Sequence, residues 1–381
     1  MRRRLRWFTG FVCLALAATA CSDSGSGGED IVIGVTIEQS GPSQVLGAAE
    51  LNALRLVADN INREGLLGGR QIRLLVKDNK SDAELAKTQV TDLIDKDNVV
   101  GIIGSGTSAA TLPFIDIVEQ KKVPTVSPAA ADAIVAKRKW TFKTGPDARG
   151  GVAVMFQDLA AFAVRSVGLL AVDNAYGQNG VLAVQAATKQ NGIRITRLER
   201  YKETDKDYQA QVDRVVESQP DAILVAAIMP GAGVVAKNLK QAGFKGRVYF
   251  DAGAGAELFV AGAGDASEGM FMVHSSILAA NQLTATTPGA LAQKEFFSQY
   301  TQRHGTYSGY ASYAADALNV MAEAIEKADS TDRQKVRDAM EKLFFDGLTG
   351  SYQFSPDNHG GASADGLTVL TVRKGAWVLA Q

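Results

Sequence analysis

The sequence is poor in the residues that build disulfides and metal centres. It has 2 cysteines, Cys13 and Cys21, and both lie near its start. The body of the chain therefore offers no disulfide, no thiol nucleophile and no cysteine-ligated metal. The 3 histidines, His274, His304 and His359, lack the spacing of metal ligands. We expect neither a metal nor an organic cofactor.

Catalytic and nucleic-acid-binding motifs are also scarce. No Gly-x-Ser-x-Gly motif is present, and Gly104-x-Gly106 lacks the lysine of a phosphate-binding loop. Acidic residues such as Asp92 and Asp95 have the spacing of a solvated helix face rather than of a catalytic pair. Without residues 1–20 the formal charge changes from −1 to −5, and no basic stripe is present to bind nucleic acid. We predict a protein that is not an enzyme.

The amino-terminal residues predict export. A basic start is followed by an apolar run that is too short to span a bilayer, and small residues precede Cys21. This pattern resembles a bacterial lipobox, although Ala18 stands where leucine is usual. We predict a signal peptide over residues 1–20, lipidation of Cys21, and a flexible tether over residues 21–30. The alternative is a plain signal peptide with an incidental cysteine.

Residues 99–131 form the central unit of the remaining chain. A buried strand, Val99–Ile103, is followed by a loop of small residues, a predicted helix Ala109–Lys121 and a second strand. Ligands of open α/β sheets bind beyond the carboxyl ends of such strands. Hydroxyl groups of Ser105, Thr107 and Ser108 and free N–H groups favour a carboxylate there. The alternative is that these hydroxyl groups only cap the helix.

The order of elements predicts two lobes. Strands and helices alternate from Ile31 to Phe250, as in parallel sheets that are covered on both faces. Three helices and three closing strands follow residue 273, so we expect the chain to return to its first lobe. A chain of this length exceeds one comfortable core. Two lobes joined by several crossings enclose a cleft, which is a preferred place for a small ligand.

Two loops in the second half of the chain carry further hypotheses. Tyr176 follows a predicted strand, so it either faces the cleft or packs against its own helix. Gly231-x-Gly233-x-x-Ala236 opens a helix, and Asp251 follows it at the spacing of a dinucleotide-binding fingerprint. A nicotinamide-dependent oxidoreductase is therefore the rival function. A simple small-residue turn is favoured, because no histidine or lysine is positioned to relay a proton.

Five stretches together resemble a known family. They are IGVTIEQSGPSQVLGAAELNALRLVADNIN, VGIIGSGTSAATLPFIDIVEQKKVPTVSPAAA, VDNAYGQNG, GYASYAADALNVMAEAI and FDGLTGSYQFSPDNHG. The chain resembles type I periplasmic solute-binding proteins of the branched-chain amino acid (Leu/Ile/Val-binding-like) class, which serve ABC importers. The resemblance implies an α/β fold with two Rossmann-like lobes, parallel central sheets, three crossovers and a ligand cleft between the lobes. We assign residues 31–146 and 275–349 to the N-terminal lobe, and residues 147–274 and 350–381 to the C-terminal lobe.

The resemblance also implies a ligand site. In this family the Gly-Ser loop and the Ser-Pro-Ala segment hold the ligand carboxylate, and a second-lobe tyrosine covers the ligand. An aromatic residue is common where Leu46 stands. The ligand-binding residues implied for this chain are Leu46, Ser105, Gly106, Ser108, Ala129, Ala131, Tyr176, Ile228, Asp251 and Ala254.

The same comparison bears on the ligand. Family members that bind amino acids hold the ammonium group with an acidic residue and a tyrosine, and Ala254 and Ile228 stand at these positions here. An ammonium group buried without a carboxylate is costly. We therefore predict a carboxylate or amide ligand rather than an aliphatic α-amino acid, unless Asp251 or Glu257 supplies the charge.

The resulting functional prediction is a monomeric binding protein. It is tethered to the outer face of a bacterial cell membrane through Cys21, closes on a small polar organic solute and delivers it to ABC permease subunits. The alternative is a ligand-sensing receptor with the same fold, which requires a signalling partner.

Overall fold

The computed structural model describes residues 30–361 and 363–380. The predicted signal peptide and the lipidation site Cys21 lie outside this part of the chain. The strands are β1 (Ile31–Ile37), β2 (Ile72–Asp78), β3 (Gly101–Gly104), β4 (Thr125–Ser127), β5 (Thr141–Lys143), β6 (Ser166–Val172), β7 (Arg194–Tyr201), β8 (Ala222–Ala226), β9 (Arg247–Phe250), β10 (Phe271–Ser275), β11 (Phe344–Asp346), β12 (Ser351–Gln353), β13 (Leu367–Arg373) and β14 (Ala376–Leu379). The helices are α1 (Gln44–Glu64), α2 (Ala83–Asp95), α3 (Ser108–Thr111), α4 (Ile115–Lys121), α5 (Ala148–Ala160), α6 (Ala175–Asn191), α7 (Gln209–Glu217), α8 (Gly231–Gln241), α9 (Glu257–Ala263), α10 (Pro288–His304), α11 (Tyr310–Ala328) and α12 (Arg333–Met340).

The first sheet is parallel throughout. Its 5 strands have the order β2-β1-β3-β4-β5. Ile31, Ile33, Val35 and Ile37 of the interior strand β1 are completely buried, because helices cover both faces of the sheet. The β-branched run that predicts this strand therefore forms the core of the first half of the molecule.

The second sheet is mixed rather than wholly parallel. Its 7 strands have the order β14-β13-β10-β9-β8-β6-β7. Strands β6 to β10 are parallel, whereas β13 runs antiparallel to both β10 and β14. The expectation of parallel strands fails at these two strands because the chain closes with a hairpin. Lys374 and Gly375, both with positive φ, make its tight turn.

The helices after residue 288 return to the first sheet. α11 packs against α1, β3 and β4, and α10 also lies against α1. The Tyr300 hydroxyl on α10 donates a hydrogen bond of 3.2 Å to the Ala49 carbonyl on α1. The chain therefore crosses between the two sheets after β5, after β10 and again before β13. The lobe boundaries given above remain a prediction.

A buried carboxyl group joins the crossing segments. Asp316 on α11 accepts hydrogen bonds of 2.8 Å from the Leu348 amide and 3.0 Å from the Thr349 amide. The Tyr352 hydroxyl, 3.3 Å from Asp316, is also 3.0 Å from the carbonyl oxygen of Thr144, just beyond β5. Burial raises the pKa of Asp316 to about 6. The crossing after β5 and the crossing before β13 thus share one polar network.

Three local elements differ from the sequence expectation. The predicted helix Ala109–Lys121 is divided into α3, a 3₁₀ turn over Leu112–Phe114, and α4, because Pro113 cannot donate within a continuous helix. α9 and β11 are additional elements, and the small-residue run after Val260 hides the helical periodicity of α9. Within residues 30–361 and 363–380, no helix is long and apolar enough to cross a membrane.

Candidate functional site

A cavity of about 110 Å³ lies where the carboxyl ends of the two sheets face each other. From the first half of the molecule it is lined by loops that follow β1, β3 and β4, and from the second half by loops that follow β6, β8 and β9. The residues that line it are Pro42, Ser43, Leu46, Glu50, Ser81, Gly106, Thr107, Ser108, Ala109, Pro128, Ala130, Pro146, Asn174, Tyr176, Glu203, Ile228, Ala252, Gly253, Tyr310 and Tyr313. Leu46, Gly106, Ser108, Tyr176 and Ile228 are thus at the wall, where the sequence predicts them.

Ser105 is not at the cavity wall. It is fully buried, and its hydroxyl donates to the Glu38 carboxyl group while it accepts a hydrogen bond of 3.0 Å from the Asn79 side chain. Its predicted partner, a ligand carboxylate, is replaced by a carboxyl group of the protein itself. The hydroxyl of Ser105 is therefore unavailable to a ligand in this structure.

Glu38 takes up the donors that precede α3. Its carboxyl group accepts from the Gly106 amide at 3.2 Å, the Thr107 amide at 3.2 Å and the Thr107 hydroxyl at 2.8 Å, in addition to Ser105. Glu38 is itself completely buried. The Gly106 and Thr107 N–H groups, which precede α3, are thus satisfied by a side chain of the protein itself.

Glu50 on α1 is a second buried carboxyl group, and it faces the cavity. Its side chain is 1% exposed, and its Oε2 atom has no hydrogen-bond partner in the described part of the chain. Burial, and then the nearby charge of Glu38, raise the pKa of Glu50 well above its usual value. A Cβ atom at Gly106 would lie 2.1 Å from Glu50 Oε2, so a larger residue there would have to displace this carboxyl group.

The Ser-Pro-Ala segment presents alternate residues to the cavity. Pro128 and Ala130 line it, whereas Ala129 and Ala131 point into a small apolar cluster with Ile134. The Ala131 amide donates a hydrogen bond of 3.1 Å to the Ser108 hydroxyl. Ala129 and Ala131 do not line the cavity themselves, because neighbouring residues of an extended segment face opposite sides, and their contact with a ligand stays a prediction.

On the opposite wall, Tyr176 begins α6 and separates two cavities. Asp251 lies behind it and lines a smaller cavity of about 40 Å³, not the larger one. Burial raises the pKa of Asp251 to about 7, although the Tyr176 hydroxyl counters part of this rise. The Asp251 carboxyl group also accepts a hydrogen bond of 3.2 Å from the Gly253 amide. Asp251 therefore supports the wall rather than contacting the cavity.

The loop after β9 approaches the cavity with its backbone. Ala252 and Gly253 line the cavity, but Ala254 is completely buried in the core. A Cβ atom at Gly253 would lie 2.4 Å from the Tyr176 hydroxyl. Ala254, which the sequence predicts to face the ligand, therefore does not line the cavity. Ala252 and Gly253 line it instead.

Two tyrosines of α11 complete the cavity. The Tyr310 hydroxyl donates to the Gly253 carbonyl and accepts from the Met229 amide at 3.1 Å. The Tyr313 hydroxyl is buried and has no hydrogen-bond partner among the described residues. α11 thus belongs to the helices that cover the first sheet, yet it contacts two loops of the second.

Sequence reasoning missed Glu50, Glu203, Tyr310 and Tyr313. For Glu50 a signal existed, because Leu46, Glu50 and Leu54 recur at intervals of four on the buried face of α1. A carboxyl group within such a stripe is unusual. The sequence analysis considered only Asp251 and Glu257 as sources of an acidic group at the ligand site. Glu50 lines the cavity, and the exposed Glu203 stands at its rim.

The glycine motif of the rival hypothesis opens an ordinary helix. Gly231 starts α8, and a Cβ atom there would lie 3.3–3.4 Å from the side chains of Tyr208 and Tyr201. Asp251 accepts hydrogen bonds from the Ala227 amide in the loop after β8 and from the Gly253 amide in its own loop. The described residues also contain no group of three or more acidic, histidine or cysteine side chains arranged to hold a metal.

Comparison with known proteins places this architecture in a family. A family profile described as "Periplasmic binding protein" matches residues 30–376. The chain belongs to the periplasmic binding protein family. Its fold is that of the type I proteins, and its similarity is to the branched-chain amino acid class, as the sequence resemblance indicates.

Three relatives illustrate the similarity of this periplasmic binding protein. The "Leucine-, isoleucine-, valine-, threonine-, and alanine-binding protein" of Pseudomonas aeruginosa is 26% identical, over 90% of each chain. An extracellular ligand-binding receptor from Rhodopseudomonas palustris has a TM-score of 0.83 at 25% identity, over 92% of this chain and 99% of its own. A leucine-binding protein from Thermotoga maritima has a TM-score of 0.80 at 24% identity, over 92% and 98%, and shares the fold. All three are named as binding proteins or receptors, not as enzymes.

Proposed function

We propose that this protein is the extracytoplasmic substrate-binding lipoprotein of an ABC transporter. It captures a small polar organic solute between two lobes and delivers that solute to permease subunits, without performing chemistry on it. The single observation that carries this proposal is the 110 Å³ cavity, to which loops at the carboxyl ends of both sheets contribute. A ligand in such a position contacts two separate bodies and stabilises the state in which they meet.

A contact beside the cavity supports closure around a ligand. The Asp132 amide, from the segment after β4, donates a hydrogen bond of 3.2 Å to the Asn179 side chain on α6. This hydrogen bond joins the two halves of the molecule outside the hydrophobic core. Such a contact forms only when the lobes are close, so a ligand that favours the closed state also favours this bond.

The proposal is tested by native mass spectrometry together with small-angle X-ray scattering. We expect the purified protein to retain a small molecule, and its removal to increase the radius of gyration until the molecule is returned. A protein that releases nothing on denaturation, binds no small solute in a thermal-shift screen and keeps one radius would refute the proposal.

The lipid anchor is a separate part of the proposal, because Cys21 lies outside the described residues. Its support is the apolar run that ends in small residues directly before Cys21. We expect Cys21→Ala to move the protein from the membrane fraction to the soluble extracytoplasmic fraction. A Cys13→Ala variant, changed within the predicted signal, should stay with the membrane. An unchanged distribution of the Cys21 variant would contradict lipidation.

A further inference from the structure

We propose that the ligand is a small organic ammonium ion without a carboxylate group, and that its nitrogen is held by Glu50. This inference rests on the proposed binding function and specifies the substrate class of the same cavity. It reverses the polarity that the sequence predicts for the first-sheet side of the site, where Ser105 was expected to receive a carboxylate.

The place expected for a ligand carboxylate is already filled by the Glu38 side chain. The Gly106 and Thr107 amides and the Ser105 hydroxyl all donate to Glu38. A ligand carboxylate would have to displace a completely buried side chain that is held by several hydrogen bonds. It would also approach the negative charge of Glu38, which already perturbs Glu50.

Glu50, by contrast, is left without a hydrogen-bond partner at the cavity wall. A buried carboxyl group normally pairs with a donor or a cation, because its desolvation is otherwise uncompensated. Glu50 is 1% exposed and its Oε2 atom has none. A ligand N–H or ammonium group supplies the missing donor and the counter-charge together.

The charge of the residues that line the cavity also favours a cation. Among the described residues that form the wall, no lysine, arginine or histidine is present, whereas Glu50 and the rim residue Glu203 are acidic. Tyr176, Tyr310 and Tyr313 add aromatic rings, whose faces attract organic cations. The buried Tyr313 hydroxyl has no partner and offers the ligand a second polar contact.

Matched ligands separate this inference from its alternatives. Alkylamines of two to five carbons, straight and branched, are compared by calorimetry at pH 7 with the amino acids, carboxylates and amides of the same chains. We expect at least one amine to bind more than about tenfold tighter than its matched counterparts, since the carboxylate and the amide lack an ammonium group and the amino acid adds a carboxylate beside Glu38. A carboxylate, amide or amino acid that binds as tightly as its amine overturns the inference.

Variants of one helix sharpen the test. Glu50→Gln keeps the size of the side chain but removes its charge, so we expect amine affinity to fall more than about tenfold. Glu64→Gln, at the exposed end of the same helix, is the matched control and should bind as the wild type does. Equal amine affinity in the Glu50→Gln variant and the wild-type protein refutes the role of Glu50. Thermal unfolding of each variant shows whether it is folded.

The failure of this inference differs from the failure of the proposed function. A co-purified ligand without a protonatable or quaternary nitrogen overturns the ammonium assignment and leaves the binding function intact. A protein that binds none of the four ligand classes and releases no small molecule overturns both.

Discussion

The buried acidic groups on the two walls of the cavity differ in their hydrogen-bond partners. On the first-sheet side, Glu38 is surrounded by donors from its own chain, while Glu50 beside it keeps an oxygen without a partner. On the second-sheet side, Asp251 is withdrawn behind Tyr176 and bound by backbone amides. The comparison teaches that burial alone does not mark a ligand contact. The carboxyl group that lacks a partner and faces the cavity is the informative one.

The largest expected effect comes from removing the Glu38 carboxyl group, which accepts several buried hydrogen bonds. Glu38→Ala leaves the Ser105 hydroxyl and the Gly106 and Thr107 amides without their acceptor. Unsatisfied buried donors cost about 1–3 kcal/mol each, so we expect a loss of at least about 3 kcal/mol in the free energy of unfolding. Urea denaturation measures it, with Glu64→Ala as the exposed control.

The Glu38→Ala variant also tests whether Glu38 occupies an anion site on the first-sheet wall. If Glu38 occupies an anion site, acetate should enter the vacated space and raise the melting temperature of Glu38→Ala more than that of the wild type. Chloride at equal ionic strength is the control. An acetate response that is identical in both proteins would show that the donors do not form such a site.

Gly106→Ala should have the next largest effect. The new methyl group would lie 2.1 Å from Glu50 Oε2 and 2.4 Å from Leu46 Cδ2, and overpacking of this kind costs about 1–3 kcal/mol. Gly289→Ala is the matched control, because a Cβ atom there has no neighbour within 4 Å. Combining Gly106→Ala with Glu50→Ala should recover stability. Strict additivity in this double-mutant cycle would contradict the contact.

Glu50→Gln should stabilise the ligand-free protein in a pH-dependent way. In the unfolded chain glutamate loses its proton near pH 4.5, whereas folded Glu50 keeps its proton to a higher pH. The wild type therefore loses stability relative to the variant as pH rises above 4.5, by about 1.4 kcal/mol for each unit of pKa difference. Unfolding curves of both proteins at pH 4, 5.5 and 7 test this. A constant difference across that range would be incompatible with a protonated Glu50.

The smallest expected effect belongs to the second wall. Tyr176→Phe removes the hydroxyl that favours the ionised form of Asp251, whose pKa is about 7. We expect a cost of about 1 kcal/mol above pH 7 that fades as the pH falls and Asp251 becomes protonated. Tyr208→Phe, in the same half of the molecule, serves as the control. An equal cost at pH 5 and pH 8 would separate Tyr176 from the titration of Asp251.

Much of the fold follows from periodicity, but the site depends on contacts between distant residues. Strand Ile31–Ile37 and the alternation of strands and helices are readable because each signal is local. Ser105 was placed correctly after its strand, yet its acceptor Glu38 lies 67 residues earlier. The pairing of Thr36 with Gly104 in β1 and β3 brings these residues together. No local pattern records that pairing.

Two other features of the site differ in how far the sequence reveals them. The structure shows that Pro128 and Ala130 line the cavity, but a run of small residues does not show which side faces the core. Glu50 could have been found from the sequence, because its spacing from Leu46 and Leu54 places it on the buried face of α1.

The position of α11 constrains the order in which the molecule can assemble. α11 covers α1 and the strands β3 and β4, and the neighbouring hydrogen bond from Tyr300 to Ala49 spans 251 residues. The apolar face of α1 therefore stays uncovered until nearly the whole chain is available. Contacts of such sequence separation form slowly. A polypeptide that crosses a membrane with its amino end first would therefore leave this face of α1 uncovered until α11 has followed it through.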